Sequence, residues 1–221
     1  MDLRDFSFQE DHHLSALLAE LRRIAEDLNQ LNLRWALVGG LAYSVHAEPR
    51  TARDVDVALA VSGNEEMDLI ADALIKKGYW DKQILFAASP VRRMGGRIMV
   101  PSQRPYAIPL NLLSSSSGIE HEVVEHATAL EILPNLTVPV ASRGYLLAMK
   151  VLSQNHPDRL HDKTDLNALI LNSDPQDVKT ARKALELITS RGFNHDRNLL
   201  TELEGFLAAA SKGSPLRHQP S

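Results

Sequence analysis

Cysteine is absent from the 221 residues. That excludes disulfides, thiolate zinc sites and cysteine nucleophiles, and nothing requires an oxidising compartment. No apolar run approaches the roughly 20 residues that a membrane-spanning helix needs, so no membrane partner is expected. The opening stretch, MDLRDFSFQEDHH, is polar and acidic, unlike a secretory signal; the expected location is cytoplasmic. A basic excess is missing too. The formal net charge is −4, whereas a dedicated nucleic-acid binder carries a strong positive surplus. This argues against a large nucleic-acid footprint but leaves room for a local basic mouth around a site, because fields act locally. There is no Gly-x-Ser-x-Gly elbow, no P-loop and no internal repeat.

What is present is ordinary for a globular chain: 44% hydrophobic and 24% charged residues, enough for a core without staples. Residues 11–31 carry Leu14, Leu17, Leu18, Leu21, Ile24, Leu28 and Leu31 at spacings of three and four, which predicts an amphipathic helix. Trp35 to Val38 is a short apolar run ending in Gly39-Gly40 and reads as a buried strand and a tight turn, with a helix over 41–47. A second strand is expected over 55–61. Ser62 and Glu65 suggest a capping box opening a helix to about Lys77, closed by Gly78. Strands follow at 84–87, 97–100 and 106–113, with Gly95-Gly96 as a hairpin turn. A polar loop covers 114–118, a short helix 119–127 and a further strand or two 130–140. Helices are expected at about 142–154, 158–172, 176–190 and 195–210. The predicted class is therefore α/β (α+β), a mixed β-sheet flanked by helices and then a helical half. The expected units are 1–140 and 141–211, with 212–221 a disordered tail.

Asp54 and Asp56 are two residues apart, which on a strand puts both side chains on one face. Two adjacent carboxylates repel, and burial favours neither, so the pair is costly unless something positive lies between. A divalent cation answers that need, and oxygen ligands suit Mg²⁺ or Mn²⁺. A bare Asp-x-Asp is more often a solvated strand face. Here Val55, Val57 and Leu59 alternate with the acids, so the strand is packed on at least one side. Arg50 and Arg53 lie just upstream, where guanidinium groups can meet phosphates. Gly39-Gly40, a strand end followed by a helix start, exposes backbone N–H groups to an anion. A phosphate cradle followed by paired metal carboxylates is more specific than either alone.

The run ALVGGLAYSVHAEPRTARDVDVALAV resembles the signature of the nucleotidyltransferase superfamily. In particular it resembles the AbiEii/AbiGii-type toxin family of type IV toxin–antitoxin and abortive-infection systems. The likeness continues through PLNLLSSSSGIEHEVVEHA and LLAMKVLSQNHPDRLHDKTDLNALI, from about residue 33 to 171. It implies a nucleotidyltransferase-like sheet whose helical second half completes the site. It further implies that Gly39 and Gly40 contact the phosphates of an NTP such as ATP or GTP, that Asp54 and Asp56 hold the metal, that Lys150 reaches the triphosphate, and that Asp162 or Asp165 completes the site. The residues agree with this: Lys150 interrupts the apolar YLLAMKVL, where a charge needs a reason, and Asp162 and Asp165 are three apart on a helix. Taken alone, a snorkelling lysine and a surface acid pair explain them equally well.

One departure stands out. Polymerase-like relatives carry a third carboxylate where this chain has Leu110-Asn111-Leu112-Leu113. Asn111 offers the nucleotide site an amide oxygen but no charge, which puts two-metal chemistry in doubt. The implied activity is transfer of a nucleoside monophosphate from an NTP to an acceptor hydroxyl: the 3′ end of a tRNA, a protein hydroxyl or a small molecule. A cognate antitoxin is the implied partner. The rival reading is an interaction module that keeps the fold without turnover. His121 and His126 are five apart, not the four that a zinc-protease helix requires, and Ser114 to Ser117 reads as a loop, not a nucleophile.

Overall fold

The computed structural model describes residues 11–47, 52–88, 91–101, 107–154 and 162–213. The chain divides into two compact units, Met1–Ser142 and Arg143–Ser221.

The first unit is built on a mixed seven-stranded sheet. Along the chain it runs α1 (Asp11–Gln30), β1 (Trp35–Val38), α2 (Gly39–His46), β2 (Val55–Leu59), α3 (Asn64–Lys76), β3 (Trp80–Ala88), β4 (Val91–Val100), β5 (Ile108–Leu113), α4 (Glu120–Glu125), β6 (Thr128–Leu133) and β7 (Leu136–Val140). In space the strand order is β3-β4-β5-β2-β1-β7-β6. β2 pairs antiparallel with β1 and parallel with β5. All four residues of β1 are buried, and Asp56 is the one residue of β2 that is not. β1 is a continuous apolar run, as expected of a strand covered on both faces.

The apolar stripe of α1 is placed as its periodicity requires: Leu17, Leu18, Leu21, Ile24 and Leu28 are buried. Two arginines anchor this helix to distant parts of the sheet. Arg22 donates to the carbonyls of Pro134 and Asn135 in the β6–β7 turn. Arg23 donates to those of Lys77 and Pro101. The Tyr79 hydroxyl donates to Asp27 (3.0 Å); burial, and then the charge of that carboxylate, pushes the phenol well above its usual range.

Two local readings are corrected. Gly95-Gly96 is no turn: both residues sit inside β4, paired with β5, and the chain reverses after Ala88. The two strands approach so closely there that a Cβ on Gly95 would lie 1.9 Å from the Leu112 carbonyl oxygen, so glycine marks close backbone approach. The Ser62–Glu65 capping box is also absent. Gly63 is the N-cap with no side-chain bond, and the Ser62 N–H is instead taken by Glu66. Gly78 does close α3, at a φ of +95°. The expected tail, 212–221, begins too early: α8 runs on to Gly213, and residues from 214 onward lie outside the described residues.

The second unit comprises α5 (Arg143–Ser153), α6 (Asp162–Leu171), α7 (Pro175–Ser190) and α8 (Leu199–Gly213). α7 starts with Asp174 as N-cap, a reciprocal bond with Asp177 and Pro175 in the first turn, three signals for helix initiation. Arg197 donates to the carbonyls of Val151, Leu152 and Gln154, capping the end of α5.

One salt-bridge cluster sets an acid sensitivity in the first unit. Arg93 binds both oxygens of Asp68 at 2.9 Å, and Lys82 reaches Asp68 and Asp72. The Arg93 hydrogen bond, above all, lowers the Asp68 carboxyl to about 2. A depressed carboxyl contributes stability above its unfolded value near 4 and loses it as pH falls toward the folded one. Asp68→Asn should therefore flatten the loss of stability between about pH 4 and 2 in denaturant titrations. At pH 7 it should cost under about 1 kcal/mol, because the carboxylate is partly exposed.

Candidate active site

Strand register places the central residues. Arg97 of β4 lies opposite Asn111 of β5, which lies opposite Asp56 of β2, which lies opposite Val38 of β1. Residues in such a row share a face of the sheet. Gly39 follows Val38 at once and opens α2. Asp54 immediately precedes β2 and is not part of the strand, yet it turns to the same place.

The meeting point is the side chain of Asn111, only 5% exposed. Its amide nitrogen donates to Asp54 Oδ2 at 2.9 Å and to Asp56 Oδ1 at 2.7 Å. Its amide oxygen accepts from Arg97 Nε at 2.7 Å. A primary amide has two N–H protons, one for each aspartate, so Asn111 holds the two carboxylates together. Asp54 and Asp56 are themselves only partly buried.

Gly39 confines Asp56 from the other side. Its φ is +63°, and a Cβ there would lie 1.9 Å from Asp56 Oδ2. Glycine is required twice over, for the left-handed backbone and for the space. Val38 gives α2 no side-chain cap, and no acid occupies the first turn.

The donor set fits a hard divalent cation. Asp54 and Asp56 present carboxylate oxygens side by side, and the amide that joins them is neutral, so it aligns the two charges without cancelling them. Arg53 beside Asp54 is exposed; Arg50 lies outside the described residues.

In the second unit Lys150 of α5 donates to Asp165 of α6 at 2.6 Å, with the aspartate 2% exposed and the lysine side chain 12%. The charge in an otherwise apolar helix thus has a buried partner. Asp162 opens α6, and its side chain lies outside the described residues. The two histidines spaced five apart have backbone partners: the His121 ring bonds the Val61 carbonyl and that of His126 the Glu122 carbonyl.

Two polar residues of this region escaped the sequence reading. Arg97 joins the site through strand register, which no local pattern announces. Glu120, 2% exposed, gathers the backbone and hydroxyl donors of Ser116 and Ser117 on one oxygen, and so shapes the loop that leaves β5.

Residues 20–213 match the family described as nucleotidyl transferase AbiEii toxin, type IV toxin–antitoxin system. The chain belongs to that family. It is accordingly a nucleotidyltransferase, and family membership implies an NTP substrate and an antitoxin partner. An antigenic nucleotidyltransferase-like protein from Paracoccidioides brasiliensis shares its fold, with 19% identity and a TM-score of 0.56, over 86% of this chain and 93% of that one. The antibiotic-resistance factor ANT(2″)-Ia is a more distant match at 12% identity and a TM-score of 0.45, covering 90% of this chain and 92% of its own. No curated protein sequence matches. No helix among the described residues is long and apolar enough to cross a membrane.

The Gly39–Asp56 contact yields a direct expectation. Gly39→Ala in this AbiEii-family protein imposes the left-handed strain of about 1–2 kcal/mol and drives the new methyl into Asp56. Melting should fall, and nucleotide transfer should fall much further. Gly63→Ala, with open space around its Cβ, should leave transfer intact.

Proposed function

We propose that the protein transfers a nucleoside monophosphate from an NTP to an acceptor hydroxyl, using Asp54 and Asp56 to hold a divalent cation, Mg²⁺ or Mn²⁺, against the triphosphate. The observation that carries this reading is the pair of carboxylates clamped by one neutral amide beside a helix start that only glycine can form. In the reaction the acceptor oxygen bonds to the α-phosphorus as its proton leaves, and the bond from the α-phosphorus to departing pyrophosphate breaks. The cation, when bound, polarises the α-phosphate and offsets charge on the leaving group. The chain's own residues do the positioning on which phosphoryl transfer chiefly depends. Gly39 and Gly40 present backbone N–H groups to phosphate oxygens, and Arg53 adds charge at the rim, as Arg50 would. Asp54 or Asp56 orients the acceptor hydroxyl and takes its proton. Lys150 as a triphosphate cation, and Asp162 or Asp165 as the acid that completes the site, enter through family resemblance.

The acceptor to test first is the 3′ end of tRNA, suggested by the same resemblance; the cytoplasm is the fitting compartment. With a net charge of −4, binding should rest on few phosphate contacts and show a shallow salt dependence.

Asn111 favours a second reading, a nucleotidyltransferase-like module without turnover. The two part on one assay: each labelled NTP with Mg²⁺, total tRNA, and wild-type or variant protein. We expect label in the acceptor with the wild type and loss of at least about a hundredfold in Asp56→Asn, the scale of removing a preorganised charge from an active site. Lys150→Ala should lose as much. Because it also removes one charge partner of the buried Asp165 and so lowers stability, it is paired with Lys150→Met/Asp165→Asn, which should recover stability and stay inactive. A wild type silent with every NTP, and activity restored by Asn111→Asp, would establish the second reading instead.

A further inference from the structure

Asn111 is an amide caught between opposite demands. On one side stands Arg97, whose guanidinium donates and never accepts; on the other stand two carboxylates, which only accept. The observed orientation satisfies all three partners. The flipped orientation would turn the amide oxygen toward both aspartates and its N–H groups toward the guanidinium, each an unmet bond. At 5% exposure the amide itself has little access to water that could make good the loss, and an unsatisfied buried polar group is costly.

Resting on the cation reading above, we propose that Arg97 is a positioning residue of the site. Acting through Asn111, it fixes the amide so that its N–H groups hold Asp54 and Asp56 side by side before any ligand arrives. β4 and β5 are already joined by a continuous backbone ladder from Gly95↔Leu113 to Val100↔Ile108, so the Arg97–Asn111 bond is not what keeps the strands together. What the bond selects is one of two amide orientations. The chain thereby gains what a third carboxylate could not supply: a donor between two negative groups, backed by the positive charge of Arg97.

The test uses the full chain, ¹⁵N-labelled, with the Asn111 side-chain signals identified by their loss in Asn111→Ala. In the wild type both amide protons should be shifted downfield by their carboxylate bonds. Arg97→Met removes the donor and should move them toward the free-amide position. Arg97→Lys keeps a donor and should retain the shift. Arg97→Gln accepts as readily as it donates and should show two sets of Asn111 signals, which covers the case in which Arg97→Met does not fold. In parallel, Mn²⁺ affinity without nucleotide, read by electron paramagnetic resonance, should weaken about tenfold in Arg97→Met and stay within about threefold in Arg97→Lys. Arg97→Met with unmoved Asn111 signals and wild-type Mn²⁺ affinity, losing only melting temperature, would overturn the proposal. Asp56→Asn separates this failure from that of the underlying reading. If it binds Mn²⁺ as the wild type does, the cation site lies elsewhere, while the amide signals still decide the role of Arg97.

Discussion

Two carboxylates of like charge, held a hydrogen bond apart from one buried amide, are the constraint around which the first unit is organised. Left alone, two adjacent like charges repel. Asn111 gives each one an N–H bond, and its place in the sheet lets it do so. β5 runs parallel to β2, so Asn111 stands opposite Asp56. β1 runs antiparallel on the other side, so β1 ends where Asp56 sits and the glycine that starts α2 falls against that carboxylate. The strand order brings residues from four segments, 39, 54–56, 97 and 111, to one spot.

The neutral residue at 111 has a physical sense in this frame. A third carboxylate would add charge for a second cation but would offer no proton to the other two. The amide instead gives each aspartate an N–H bond, which suits a pair proposed to stay aligned before a ligand arrives. A site preorganised in this way spends less of its binding energy on rearrangement when the nucleotide arrives, which is where enzymes of this chemistry gain most of their rate.

Much of the fold was legible because its signals are local. The stripe of α1, of which Leu17, Leu18, Leu21, Ile24 and Leu28 are buried while Leu31 falls past the helix end, and the apolar β1 run each lie within a short stretch of chain. The spacing of two suggested that Asp54 and Asp56 share a strand face; Asp54 lies just outside β2 and reaches Asn111 all the same. Long-range information was not legible. Arg97 and Asn111 are fourteen positions apart and meet through register alone. Gly95-Gly96 sends the same signal for a tight turn and for two backbones in close approach, and the second applies. The sequence showed that the charge of Lys150 needed a reason; Asp165, on another helix, supplies one.

The central claim is that Asp54 and Asp56 form the cation and triphosphate site, and the most direct measurement is the anomalous scattering of Mn²⁺ in crystals grown with a non-hydrolysable NTP. The account predicts a manganese peak bonded to oxygens of both aspartates, with the triphosphate running toward the first turn of α2. A manganese ion held elsewhere, or a nucleotide bound away from Gly39 and Gly40 with the Asp54–Asn111–Asp56 cluster undisturbed and empty, would contradict it.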